Sequence, residues 1–332
     1  MNTPLGFGIV GLGMGHERAK IIVKTEGAKL VAVCDLNEER LKKSTTEFGC
    51  EGYTDFSKML RRKDLDVVMV MTPSGTHADF AVKAAKKGKH VITTKPMEVT
   101  LKRCDKMIAA CEKAGVKLAV DFELRFYPQC RWIKACIDSG EFGKLIFGEA
   151  RCKWYRTQAY YDQGGWRGTW KMDGGGALAN QSIHVIDTLL ALMGKPVQVY
   201  AQTDTVAHKI ETEDIGVAMI NFESGARGTI IGTTTIPGGT EFGIEVHGDQ
   251  GGGSTLRVKY GTDEVQWFFA GDKKQPTTPK PVAPTNVIED FVAAMRDGRD
   301  PLVTGTEGRR SIELLTAIYK SSQKSKPVKI QT

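Results

Sequence analysis

Short apolar runs punctuate the first 120 residues at Gly6–Val10, Leu30–Cys34, Asp66–Met71, His90–Thr93 and Val116–Val120. Between them, Glu17–Thr25, Glu38–Phe48, Thr76–Lys87 and Thr100–Ala114 space their apolar positions as a helix face does. Unbroken apolar strands alternating with amphipathic helices predict a parallel sheet covered on both faces. Right-handed crossovers make that a doubly wound α/β layer.

The pattern changes near Phe122. Tyr127-Pro128 opens a helix running to about Asp138, Lys144–Trp154 reads as a strand, and Gly176–Met193 carries one long helical pattern ending at Gly194. Strand-like runs then follow without helices between them, at Val197–Thr205, Ile215–Phe222, Arg227–Thr234, Phe242–His247, Leu256–Tyr260 and Val265–Phe269. Glu223-Ser-Gly-Ala and Gly261-Thr-Asp-Glu read as hairpin turns, and Lys273–Pro284, with four prolines, as an exposed loop. Two helices, about Asn286–Met295 and Thr306–Ser322, end the chain. The expectation is a doubly wound domain over 1–122 and an α+β domain over 123–332 with a large open, mainly antiparallel sheet. Helices pack one face of that sheet, and water or a second subunit covers the other.

With 41% apolar and 26% charged residues among 332, the chain is an ordinary globular one, which excludes disorder as its main state. The net charge of +7 is spread along the chain, and Arg61-Arg62-Lys63 reads as a solvated helix end, so no nucleic-acid partner is expected. Seven cysteines, an odd count with no C-x-x-C pair, fit buried reduced thiols in a cytoplasm better than a disulfide framework or a zinc site. The first residues lack the basic region of a secretory signal, and no apolar stretch is long enough to span a bilayer, so a soluble, cytoplasmic protein is expected.

Phe7-Gly-Ile-Val-Gly11-Leu-Gly13-Met14-Gly15 is a strand running into glycines and then a helix. Such a turn lets backbone approach a pyrophosphate, and the helix start supplies N–H donors. Asp35 ends the second strand, 22 residues after Gly13, where a carboxylate accepts the adenosine ribose hydroxyls. It also fits a helix cap before Leu36. A carboxylate there repels a 2′-phosphate, and Arg40 is the nearest cation, so NAD is preferred to NADP. His16 replaces the last glycine of G-x-G-x-x-G. Either the helix packs more loosely against the strand, or the imidazole sits at the pyrophosphate.

Further along stand Thr72-Pro73 with His77, Gly88-Lys-His-Val91, Thr94-Lys95-Pro96, Arg125-Phe126-Tyr-Pro128, Trp166-Arg167, Gly174-Gly-Gly176 and His184-x-x-Asp187. With the glycine loop, these residues resemble the glucose–fructose oxidoreductase / inositol dehydrogenase / MocA (Gfo/Idh/MocA) family over nearly the whole length. The resemblance implies a Rossmann domain, an antiparallel-sheet domain, a nicotinamide cofactor and a sugar or polyol substrate. It also implies a homodimer or homotetramer through the C-terminal sheet. It assigns cofactor contacts to Gly11, Gly13, Met14, Gly15, Asp35, Thr72, Pro73, Ser74, His77, Lys95 and Pro96. The chain departs from the family at Thr94, where glutamate is usual, and at Asn180, where many members carry aspartate.

Hydride transfer from a secondary alcohol requires a place for the hydroxyl proton and stabilisation of the developing alkoxide. By composition alone Lys95 reads as a surface lysine and His184 as a core histidine; the family match reverses both readings. Lys95 follows the fourth of the apolar strands, at the carboxyl edge where open α/β sheets bind ligands, and is assigned electrostatic and relay work. His184, with a free imidazole pKa near ~6.5, is assigned acid/base work. Asn180, four residues earlier, is expected on the same helix face and assigned positioning. Asp187 reads as structural, a partner for a loop donor. Trp166, Tyr160, Arg156 and Arg167 lie in an aromatic, basic loop expected to hold the sugar, the rings against C–H surfaces and the arginines on hydroxyl or carboxylate oxygens. No metal is expected. The function read here is NAD-dependent oxidation or reduction of a secondary hydroxyl on a sugar, glycoside or cyclic polyol. The alternatives are a redox-neutral glycoside-cleaving enzyme that oxidises its sugar transiently, and a dinucleotide-binding sensor without turnover.

Overall fold

Strands β1 (Leu5–Val10), β2 (Ala28–Cys34), β3 (Glu51–Tyr53), β4 (Val67–Val70), β5 (His90–Thr94) and β6 (Leu118–Asp121) form one sheet in the computed structural model. That structure describes residues 3–239, 241–258 and 264–330. The strand order is β3-β2-β1-β4-β5-β6, parallel throughout. Order reverses between β1 and β4, which creates a crevice at their carboxyl ends. Phe7, Ile9, Val67, Val68, Met69 and Val70 are fully buried, as a sheet covered on both faces demands. The connecting helices are α1 (Gly15–Ile22), α2 (Glu38–Phe48), α3 (Phe56–Met59), α4 (His77–Ala85) and α5 (Leu101–Lys113). Asn37 and Thr100 start α2 and α5 by accepting the N–H groups of Arg40 and Arg103, and Gly49 ends α2 in the left-handed region at φ 63°. β3 has no counterpart in the sequence reading, because Glu-Gly-Tyr is too short and polar to form an apolar run.

The chain forms two units, Met1–Phe122 with Pro284–Arg309, and Glu123–Ala283 with Arg310–Thr332. In the second unit, β7 (Leu145–Lys153), β8 (Pro196–Asp204), β9 (Ile215–Phe222), β10 (Arg227–Thr233), β11 (Glu241–Gly248), β12 (Gly253–Arg257), β13 (Glu264–Phe268) and β14 (Val328–Lys329) make an eight-stranded sheet. Its order is β13-β12-β11-β7-β10-β9-β8-β14, antiparallel except for β7 with β10. The turn Glu223–Ala226 closes the β9–β10 hairpin, with Phe222 N–H on the Ala226 carbonyl at 3.0 Å and Gly225 at φ 89°. The other expected turn, from Gly261, and the expected strand end at Tyr260 lie outside the described residues. Helices α6 (Pro128–Asp138), α7 (Gln158–Asp162) and α8 (Ile183–Met193) belong to this unit. α8 lies so close to the sheet that a Cβ on Gly148 would stand 2.7 Å from Met193 Sδ. The opposite sheet face shows Val217 and Met219.

Helix α9 (Val287–Asp297), capped by Asn286, returns to the first unit, and α10 (Gly305–Lys324) follows. Phe291 of α9 is buried against the His90 ring. Val120 N–H donates to the Val303 carbonyl at 3.0 Å and Ala119 bridges Thr304, so this segment covers the outer edge of β6.

Candidate active site

Four loops leave the carboxyl ends of the parallel strands: the glycine loop after β1, Asp35 after β2, Thr72-Pro73-Ser74 after β4, and Lys95-Pro96 after β5. The three glycines divide the labour of nucleotide binding. Gly11 turns the chain at φ 92°, with the Met71 backbone 2.7 Å from where its Cβ would be. At Gly13 a Cβ would meet nothing nearer than an Arg40 guanidinium nitrogen at 3.9 Å, so that side of the loop is open to a phosphate. Gly15 allows close packing, since its Cβ would stand 2.8 Å from Ile9 Cγ2. The helix–strand contact is therefore tight, supplied one position earlier than in G-x-G-x-x-G. His16 turns away from the loop: its Nδ1 is 2.9 Å from Ser44 Oγ and its Nε2 3.0 Å from Glu47. Neither expectation for His16 holds, because α2 occupies both ring nitrogens.

Asp35 accepts the Leu12 N–H at 2.6 Å and the Asn37 N–H at 2.8 Å. Asn37, not Asp35, caps α2, which leaves the half-buried Asp35 to brace the glycine loop beside the open Gly13. Met14 is exposed at the start of α1. His77 is fully buried, with Nε2 2.7 Å from the Thr72 carbonyl and Nδ1 3.0 Å from the Pro96 carbonyl. Burial pushes its pKa below the usual value, against the opposing pull of the backbone carbonyls around it, and the ring stands between the β4 and β5 loops. These glycines, donors and the carboxylate fit a dinucleotide.

In the second unit, the expected long helix over Gly176–Met193 begins instead with a π turn, Ala177–Gln181, before α8. Ser182 N–H reaches the Ala177 carbonyl at 2.9 Å. Buried Glu213 accepts Gly176 N–H at 3.0 Å and Leu178 N–H at 2.8 Å, while Tyr319 Oη donates to it at 3.1 Å. Burial raises Glu213 to about 7. The wide turn breaks the uniform helical repeat between Asn180 and His184, so their shared face does not follow from spacing alone. His184 is half-buried in the first turn of α8. Asp187, one turn on, takes Arg125 in a two-pronged pair, Nε to Oδ2 at 2.6 Å and Nη2 to Oδ1 at 3.1 Å, as a structural carboxylate with a loop donor does.

A polar chain links the π turn to the aromatic loop. Arg156 Nη2 donates to Gln181 Oε1 at 2.8 Å, and Gln181 Nε2 donates to Tyr160 Oη at 2.9 Å and to Asn180 Oδ1 at 3.1 Å. Asn180 Nδ2 donates to Asp173 Oδ1 at 2.5 Å, and Asp173 Oδ2 accepts Gly168 N–H at 2.9 Å. Arg156, Tyr160 and Asn180, assigned to substrate from sequence, are thus one connected group, and the Arg167 guanidinium lies 4.7 Å from the Tyr160 ring centre and 5.1 Å from that of Trp166. Asp173, Gln181 and Glu213 were not foreseen; Asp173 immediately before the Gly174–Gly176 run was the one visible signal. Among the described residues no group of three or more His, Cys, Asp or Glu could hold a metal, and no helix is long and apolar enough to cross a membrane.

Residues 5–122 match the model of an oxidoreductase family with an NAD-binding Rossmann fold, and residues 130–253 that of the GFO/IDH/MocA C-terminal domain. The chain is 27% identical over 339 residues to scyllo-inositol 2-dehydrogenase (NAD(+)) of Bacillus subtilis (strain 168), covering 97% of this chain and 95% of the relative. It is 26% identical over 344 residues to myo-inositol 2-dehydrogenase of Thermotoga maritima, covering 98% of each. Among solved structures, the WlbA dehydrogenase of Bordetella pertussis, in complex with NADH and UDP-GlcNAcA, superposes with a TM-score of 0.87 at 32% identity over 99% of both chains.

Proposed function

Because the chain belongs to the Gfo/Idh/MocA family and is an NAD-dependent oxidoreductase of sugar or polyol hydroxyls, we propose that His184 moves the hydroxyl proton and Lys95 stabilises the alkoxide. Bound NAD supplies the nicotinamide ring that takes or returns the hydride. In the oxidative direction His184 accepts the hydroxyl proton as the C–H bond breaks, and the Lys95 ammonium offers its N–H donors to the oxygen as negative charge grows. Asn180, whose side-chain nitrogen donates to Asp173 and whose carbonyl oxygen accepts from Gln181, is held in one orientation from which to position the sugar. Trp166 presents a ring face to the C–H surface of the sugar, while the Tyr160 ring carries the guanidinium groups of Arg156 and Arg167. The observation that carries this reading is the hydrogen-bonded group Arg156–Gln181–Asn180–Asp173, which fixes the residues ahead of His184 in one arrangement.

The same reading makes the chain a homodimer or homotetramer, joined through the outer sheet face on which Val217 and Met219 stand exposed, and places it in the cytoplasm. The deciding experiment incubates the protein with NAD and a panel of sugars, glycosides and polyols, following NADH absorbance and product mass together. NADH formed in step with a ketosugar supports the dehydrogenase. A glycoside cleaved without NADH, or dinucleotide binding without any turnover, overturns it.

A further inference from the structure

The half-buried arginines Arg18, Arg62, Arg103, Arg125 and Arg151 each meet a carboxylate. Arg156 and Arg167 are also half-buried, yet among the described residues neither is paired with one. Their hydrogen bonds go to neutral acceptors, the Gln181 side chain and the Gln163 carbonyl. The Nε atom of each is buried without an acceptor among the described residues. Both guanidinium groups face one ring: Arg156 lies 5.0 Å and Arg167 4.7 Å from the centre of Tyr160. Two like charges gathered about one aromatic ring repel each other, and their remaining N–H donors cannot all be met by the ring's π face. Tyr160 adds a donor, since its oxygen already accepts from Gln181 and its own hydrogen can point elsewhere. A neutral hydroxyl would satisfy one donor and leave the charge standing. A planar or tetrahedral oxyanion satisfies several at once and cancels the charge.

We propose that Arg156, Tyr160 and Arg167 form a receptor for an oxyanion carried by the sugar, a carboxylate or a phosphate, and that the substrates of this enzyme are acidic sugars. The proposal rests on the sugar-oxidoreductase reading and narrows it. It also gives Gln181 a role: by holding Arg156 and Asn180 together, it ties the anion receptor to the residue that orients the reacting end of the sugar.

The test is direct binding to the NAD-loaded protein, read by the fluorescence of Trp154 and Trp166, each beside one of the two arginines. The probes are D-glucuronate for the carboxylate, glucose 6-phosphate for the phosphate, and D-glucose as the neutral control. At least one anion is expected to bind about tenfold or more tightly than glucose, with affinity falling as salt rises. The preferred anion identifies the group. Arg156→Gln and Arg167→Gln should each lower that ratio by about tenfold, with partial recovery in the lysine variants. Equal binding of all three probes by the unsubstituted protein, or no binding of either anion, overturns the receptor whether or not the variants fold. Anion-selective binding without oxidation of any sugar would instead overturn the dehydrogenase reading and leave the receptor standing.

Discussion

The side-chain amide of Asn180 donates to Asp173 across 2.5 Å, and Asp173 is 1% exposed. An aspartate at position 180 would bring two carboxylates together in a buried place, where only one can ionise freely. Asparagine is thus the residue that Asp173 permits. Asn180→Asp should cost about 2 kcal/mol of stability at neutral pH, and the double variant with Asp173→Asn should recover most of it. Urea unfolding of the three variants measures this; an unchanged midpoint for the single variant would contradict it.

Glu213 sets a pH dependence of stability. Its folded pKa, about 7, lies above the ordinary 4.5, so the folded protein holds a proton that the unfolded chain has released. Its contribution is complete below about pH 4.5 and is lost as the pH rises through about 7, a change of about 3 kcal/mol. Glu213→Gln should flatten that part of the stability–pH curve, although its amide nitrogen must face a backbone N–H or the Tyr319 hydroxyl that the carboxylate accepts. Thermal melts across this range provide the check.

Asp35 holds the glycine loop through Leu12 and Asn37, and the Arg40 guanidinium reaches toward Gly13. Asp35→Ser should weaken NAD binding about tenfold or more and shift preference toward NADP, because the repelling carboxylate goes while the cation stays. Titration of both dinucleotides gives the ratio.

His184→Asn should lower kcat by about a hundredfold or more while the Kd for NAD changes little, and should remove one limb of the pH–rate profile. Lys95→Met should depress kcat on a similar scale. A fall in cofactor affinity equal to the fall in kcat would assign His184 a structural part instead.

Met219 pairs with Tyr200 and Thr229 across the outer sheet face, and Val217 with Ile231. Charges set among them should disrupt an assembly through that face. Val217→Glu with Met219→Glu is expected to reduce the mass found by analytical ultracentrifugation to that of one chain.

The doubly wound sheet was legible because its strands are apolar on both faces and its helices repeat at 3.6 residues; β3, a polar edge of three residues, and α3, a single turn, left no pattern. Asp35 and the three glycines were legible for a local reason, since spacing along one strand–turn–helix fixes their places. The π turn was not. Its cause is Glu213, which captures the N–H groups of Gly176 and Leu178 from a distant part of the chain, and apolar periodicity cannot register a side-chain acceptor. Arg156 and Arg167 stood out by type, but their shared ring and neutral acceptors appear only once the chain folds.

The strip at Val303–Thr304 that seals β6 is translated only after the entire eight-stranded sheet except β14. A ribosome making this protein cannot finish the nucleotide-binding layer before starting the next. Until then the nascent layer carries an unsealed backbone edge beside the bare apolar patch destined for Ile288 and Phe291. Chains interrupted anywhere between the two are accordingly candidates for chaperone capture, and a gene fragment stopping at residue 122 encodes a sticky intermediate, not a portable dinucleotide module.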